Sequence, residues 1–170
     1  MKIECVVGDI TKQADCWAIV NAANPMLISG AGVAGAIHKA AGRQLEKACE
    51  EFAPIEVGQA VVTLGFNLPN FAVIHVLGPK YFQDPNPAGN LAKAIDSVLE
   101  QANKHQFKDI ALPAISTGSY GYPVEEAADI IIGRLTAWTK AYPMLVRLVL
   151  FDDSTYVTFN SKIINKNNGG

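Results

Sequence analysis

Basic residues never gather in this chain. Its 14 Lys and Arg are spread over 170 residues against 16 Asp and Glu, a formal charge of −2. No cluster of them could track a nucleic-acid backbone, so no nucleic-acid partner is expected. Cysteine is scarce too: Cys5, Cys16 and Cys49 are odd in number and never spaced as CxxC. That excludes a disulfide framework and a zinc site, and points to reduced thiols. No apolar run approaches the ~18 residues of a membrane span. Lys2 and Glu4 flank a start with no long apolar stretch behind it, so neither a signal peptide nor a membrane partner is expected. With 49% hydrophobic and 18% charged residues, the chain has the composition of a globular protein. The expectation is a soluble, cytoplasmic, single domain over residues 1–165 with a short polar tail at 166–170.

What the chain does have is a regular alternation of elements. Residues 2–7, 18–21, 59–64, 71–77, 109–115 and 145–151 read as strands, most of them apolar throughout. Residues 33–41, 43–52 and 124–141 read as helices, Gly42 breaking the first two apart. Residues 91–104 place apolar side chains at 91, 94, 95, 98, 99 and 102, which is helical spacing. Asp152-Asp153-Ser154 can cap a short final helix, and the tail from Asn165 is expected to fray. Strands apolar on both faces, alternating with helices, imply a mostly parallel or mixed sheet covered on both sides. Ligands of such sheets bind beyond the carboxyl ends of the strands.

The chain is organised around residues 19–42, IVNAANPMLISGAGVAGAIHKAAG. A short buried strand ends near Asn21 and Asn24, Pro25 stops it, and a glycine-rich loop opens an Ala-rich helix. Glycines there leave backbone N–H groups free to face an anion, often a phosphate. Gly30, Gly32 and Gly35 match GxGxxG literally, so a dinucleotide-binding Rossmann unit is one alternative. Two facts count against it. Residues 25–29 intervene where a tight turn is wanted, and the acidic residue ~20 positions on should end a strand, whereas Glu46, Glu50 and Glu51 fall in a helix.

A second small-residue loop, Ser116-Thr117-Gly118-Ser119-Tyr120-Gly121, lies between a strand and a helix. Its hydroxyls and N–H groups suit phosphate oxygens, and Tyr120 could lie against a sugar; the plain alternative is a turn with Ser and Thr caps. Two such loops in one small domain point to a diphosphate gripped from both sides. Asp9 could accept from an exocyclic amine while the Ile10 N–H serves a ring nitrogen, or Asp9 is simply a helix cap. Phe151 could stack on a base or belong to the core. Asn24 could orient a hydroxyl or a water, with Asn21 holding loop backbone. His38 follows the glycine loop on its helix, His75 reads as a core histidine and His105 as a surface one.

Together GDIT (8–11), IVNAAN (19–24), GAGVAGAIHKAAG (30–42), IHVLGP (74–79) and PAISTGSYGYP (113–123) resemble the macrodomain family, over essentially the whole chain. The resemblance implies a three-layer α/β/α sandwich with a mixed, mostly parallel central sheet that binds ADP-ribose in a crevice at its top. It implies that Asp9 holds the adenine amine, Ile10 the ring through its backbone, and Phe151 the ring face. Gly30, Gly32, Val33 and the loop Ser116, Thr117, Gly118, Ser119, Tyr120 would cradle the diphosphate. Asn24 would bond the distal ribose as a catalytic residue, with His38 supporting. Substrates would be ADP-ribosylated protein or O-acetyl-ADP-ribose, with no cofactor and no metal. The most active subgroup carries GGGGVDGAIH; here Ala34 replaces its aspartate and Ala31 its middle glycine. Relatives with GGGVAGA hydrolyse without that aspartate, so a substrate-assisted water attack is implied, with a non-catalytic reader as the alternative.

Overall fold

In the six strands among the described residues, neighbouring side chains point to opposite faces, and in the central ones both faces are mostly apolar. The computed structural model describes residues 1–169. Its elements run β1 (Lys2–Val7), a single 3-10 turn (Ile10–Lys12), β2 (Ala18–Ala22), α1 (Gly32–Ala41), α2 (Arg43–Glu50), β3 (Ala60–Leu64) and β4 (Ala72–Val76). They continue with α3 (Pro87–Lys104), β5 (Asp109–Leu112), α4 (Val124–Ala137), β6 (Leu145–Leu150) and α5 (Asp153–Gly169).

The strands form one sheet in the order β1-β6-β5-β2-β4-β3, parallel throughout except for the antiparallel edge strand β3. Ala18, Val20, Ile74, Ile110, Leu112 and Leu148 point to one face, where α3, α4 and α5 cover them. Ile19, Val73, Ala111 and Val149 point to the other, under α1 and α2. The result is the three-layer α/β/α sandwich, its core split in two by the sheet. Because β1, β6, β5, β2 and β4 run parallel, their carboxyl ends open on one edge.

Several element ends differ from the sequence reading. β5 stops at Leu112 instead of reaching Ile115, because Pro113 has no N–H to continue the ladder and Ile115 N turns back onto the Pro113 carbonyl at 2.9 Å. α3 starts at Pro87, four residues early, with the Asn86 side chain accepting from Gly89 N at 3.1 Å. α4 ends at Ala137. The final helix is long, not short: Asp152 caps it by accepting from Thr155 N at 2.8 Å, and buried Phe159 and Ile163 anchor it. The expected frayed tail is therefore helical through Gly169; Gly170 lies outside the described residues.

Candidate functional site

At the carboxyl edge a cleft of about 970 Å³ crosses the sheet from β1 to β4, at the upper end of the ~300–1,000 Å³ usual for small-molecule sites. Its middle is built from backbone. The segment 23–31 carries the chain from β2 to α1, which Gly32 opens with φ +62°, a left-handed value that suits glycine. The N-cap is Ala31, whose side chain caps nothing, so the first N–H groups of α1 stay open to the cleft. A Cβ on Gly35 would run into the carbonyl oxygen of Gly30, so this loop closes only over a glycine.

The second loop offers three more donors. Tyr122 N bonds Ser116 O at 2.9 Å and Gly121 N bonds Gly118 O at 3.0 Å. Among the described residues the N–H groups of Gly118, Ser119 and Tyr120 bond nothing, an arrangement that suits an anion. Of the hydroxyls expected to help, one is engaged elsewhere and one is buried without a partner. Thr117 Oγ1 donates to Ala114 O at 2.7 Å, and Ser116, at φ +68°, buries its Oγ against Gly78.

Asp9 and Phe151 occupy the β1–β6 end. Asp9 is exposed; its Oδ1 accepts from Thr11 Oγ1 at 2.7 Å and Thr11 N at 2.9 Å, and these bonds hold the carboxyl below its ordinary pKa. Oδ2 remains for a ligand. Ile10 buries its side chain and leaves its N–H unbonded. Phe151 is 94% exposed on the rim, so it is not a core residue. Asp152 also lines this end, its carboxyl held below its ordinary pKa by bonds to Thr155 and Ser154. Two carboxylates here, and no Lys or Arg among the described lining residues, fix the polarity of the cleft. An anion is repelled from the β1–β6 end and drawn to the N–H groups in the middle.

Asn24 lines the far end, near Gly78. Its Nδ2 donates to Ile28 O at 2.8 Å and its Oδ1 accepts from Ile28 N at 3.1 Å, so Asn24 and not Asn21 holds this loop. A second proton and a second lone pair remain for a ligand. Asn21 is buried and bonds His75, its Nδ2 lying 3.0 Å from Nδ1. His75 Nε2 lies 2.9 Å from Thr63 Oγ1, which donates on to Leu64 O at 3.0 Å. Burial pushes the His75 pKa down to about 3, so it is a neutral core group.

Asp9, Ile10, Asn24, Gly30, Gly32, Val33, the 116–120 loop and Phe151 all line one cleft, as do Ala31 and the 95%-buried Ala34. His38 does not. One helical turn below Ala34, it points into the core with neither ring nitrogen hydrogen-bonded, and burial lowers its pKa. It is buried and is not among the residues that line the cleft. Gly78, in the GP that closes β4, is a lining residue that sequence reasoning did not single out; Asp152, which that reading placed both in a strand-end loop facing the crevice and at a helix cap, lines it too.

A glycine-walled cleft without cations at the carboxyl edge of an α/β/α sandwich defines a backbone-gripping anion-binding domain. The strand order and the long 23–31 segment are not those of a Rossmann unit, and no acid-tipped second strand follows the glycines. The Macro domain family model matches residues 20–131, and the chain belongs to this family. It is 45% identical over 159 residues to the O-acetyl-ADP-ribose deacetylase of Klebsiella pneumoniae, covering 89% of this chain and 90% of that one. It is 41% identical over 143 residues to the ADP-ribose glycohydrolase MACROD1 of Rattus norvegicus, covering 83% of this chain and 55% of that one. The macrodomain of Oceanobacillus iheyensis, solved with ADP, superposes with a TM-score of 0.93 at 38% identity, over 99% of this chain and 93% of that one.

Proposed function

We propose that this chain binds ADP-ribose along the cleft and hydrolyses the bond at its distal ribose, in mono-ADP-ribosyl groups on protein acidic side chains or in O-acetyl-ADP-ribose. The observation that carries the reading is the polarity of the cleft. A base with an exocyclic amine suits Asp9 and the Phe151 face, a diphosphate suits the two N–H walls, and the far ribose then falls at Asn24. The names of the relatives, a deacetylase of O-acetyl-ADP-ribose and an ADP-ribose glycohydrolase, support the same ligand and reaction.

Ala34, the third residue of α1, supplies no base. The reaction therefore uses a water held between the ligand's own phosphate and neighbouring backbone. That water attacks the anomeric carbon, the bond from that carbon to the acyloxy oxygen breaks, and the carboxylate leaves as the water's proton passes to phosphate. Asn24 fixes the ribose for attack. Ala34 also favours a second reading, a module that recognises protein-linked ADP-ribose and cleaves nothing. The three unpaired thiols fit a reducing, cytoplasmic setting.

Thermal unfolding with ADP-ribose or NAD tests the ligand. At 100-fold excess over Kd, ADP-ribose raises Tm by about 5–10 °C by mass action, and NAD raises it far less. An equal or larger shift with NAD would refute the assignment.

A further inference from the structure

Beyond the far end of the cleft stands a feature that the ADP-ribose reading leaves unused. After Gly78 in the cleft wall, the chain forms a projecting loop carrying Lys80, Tyr81 and Phe82. Phe82 is 85% exposed, an aromatic presented to solvent beside the cleft's mouth. The loop holds it firmly there. Tyr81 N donates to Tyr120 O at 2.9 Å, Tyr81 OH donates to Glu126 Oε2 at 3.1 Å, and the Tyr81 ring packs edge-on against Tyr122 at 4.8 Å. Phe82 in turn sets its ring at 89° to Tyr81, 5.0 Å between centroids, and flanks Gly121. Lys80 Nζ lies 5.4 Å from the centre of the Tyr120 ring.

Among the described residues no carboxylate pairs with Lys80. Two carboxylates nearby accept from neutral donors: Glu126 from Tyr81 OH, and Asp84 from Asn86 N and Asn90 Nδ2, both at 2.8 Å. A rigid aromatic and a free cation at the mouth of a cleft suit a polypeptide with acidic and apolar side chains.

We infer that the Lys80–Phe82 loop is the lip that receives the polypeptide around an ADP-ribosylated acidic residue, and that it sets preference for protein-linked over acetyl-linked ADP-ribose. This rests on the ligand orientation proposed above. With the base at Asp9 and Phe151, the scissile linkage emerges at Asn24, Gly78 and Tyr120, where the loop begins. An acetyl group ends one methyl beyond the ester and stops short of the lip. A modified glutamate continues into backbone in both directions and must cross it.

The test compares a peptide mono-ADP-ribosylated on glutamate with O-acetyl-ADP-ribose, using Phe82→Ala and Lys80→Glu. Both side chains are exposed, so the fold is preserved. Removing the Phe82 contact is expected to raise KM for the peptide about three- to ten-fold, and Lys80→Glu to raise it in a salt-sensitive way. Neither variant changes kcat or KM on O-acetyl-ADP-ribose, nor Kd for free ADP-ribose by calorimetry. If the wild type cleaves neither substrate, the same comparison is made on Kd for the modified peptide against Kd for free ADP-ribose. Equal losses on both substrates, or no loss on the peptide, would overturn the lip. A wild-type chain that does not bind ADP-ribose would instead remove the ligand reading, and the lip with it.

Discussion

Asn24 and Ile28 are locked together in both directions: the Asn24 amide donates to the Ile28 carbonyl at 2.8 Å and accepts its N–H at 3.1 Å. The residue proposed to hold the ribose therefore also shapes the loop that leads to the glycines. Asn24→Ala is expected to lower kcat by about 10²-fold, the loss of one positioning contact, and also to weaken ADP-ribose binding several-fold as the loop loosens. Kinetics beside calorimetry separates the two. Unchanged kcat would remove Asn24 from the reaction.

Asp9→Ala removes the only side-chain acceptor proposed for the adenine amine. A hydrogen bond to a charged group contributes about 1.5–3 kcal/mol, so Kd for ADP-ribose should rise about 10- to 150-fold. The loss of the 3-10 turn cap costs about 1 kcal/mol of stability, too little to unfold the domain. Calorimetry on the folded variant decides; unaltered Kd would sink the assignment.

At Gly35 the prediction is steric. A methyl there meets the Gly30 carbonyl, which is backbone and cannot swing away. Gly35→Ala should displace the loop, abolish measurable ADP-ribose binding and lower Tm, whereas Gly133→Ala, where a Cβ meets nothing within 4 Å, should do neither. Full affinity in Gly35→Ala would mean that the loop's path is not what forms the anion site.

Ala34→Asp restores the carboxylate of the family's most active pattern, in the first turn of α1 where the helix dipole favours an anion. If the missing base limits the rate, kcat should rise by about 10²-fold or more. A dead or unchanged variant would show that the water is positioned by other groups.

Buried histidines set the acid limit. The His75 pKa is about 3 in the fold against 6.5 for the free side chain, and that of His38 is also lowered. Between these values the unfolded chain holds more protons than the folded one, so stability falls as pH drops below about 6.5. Tm measured from pH 7 to pH 4 should decline, and His75→Gln should flatten the decline. An unchanged slope in His75→Gln would contradict a neutral His75.

Much of this molecule can be read from its residues, because short, continuously apolar strands and glycine loops leave local signals. The five segments that carry the family resemblance all reach the cleft or its supports. Other features depend on contacts between distant parts of the chain. That His38 points inward follows from how α1 rests on the sheet, which the spacing of GAIH does not specify. The 165–169 turn is polar and lacks apolar spacing, yet it stays helical because Phe159 and Ile163 anchor the turns before it. Arg147 interrupts the apolar LVRLVL of β6, and its partners lie far away in sequence. Its guanidinium binds Glu4 at 2.7 Å and Asp15 through two bonds at 2.7 Å, tying β6 to β1 and to the loop before β2.

The most direct measurement incubates the protein with a substrate mono-ADP-ribosylated on glutamate or aspartate and quantifies released ADP-ribose, with Asn24→Ala alongside. The account predicts release by the wild type and little by the variant. Retention of the modified substrate on a pull-down with no release would contradict hydrolysis, and would make this chain a reader whose cleft lacks a base at Ala34.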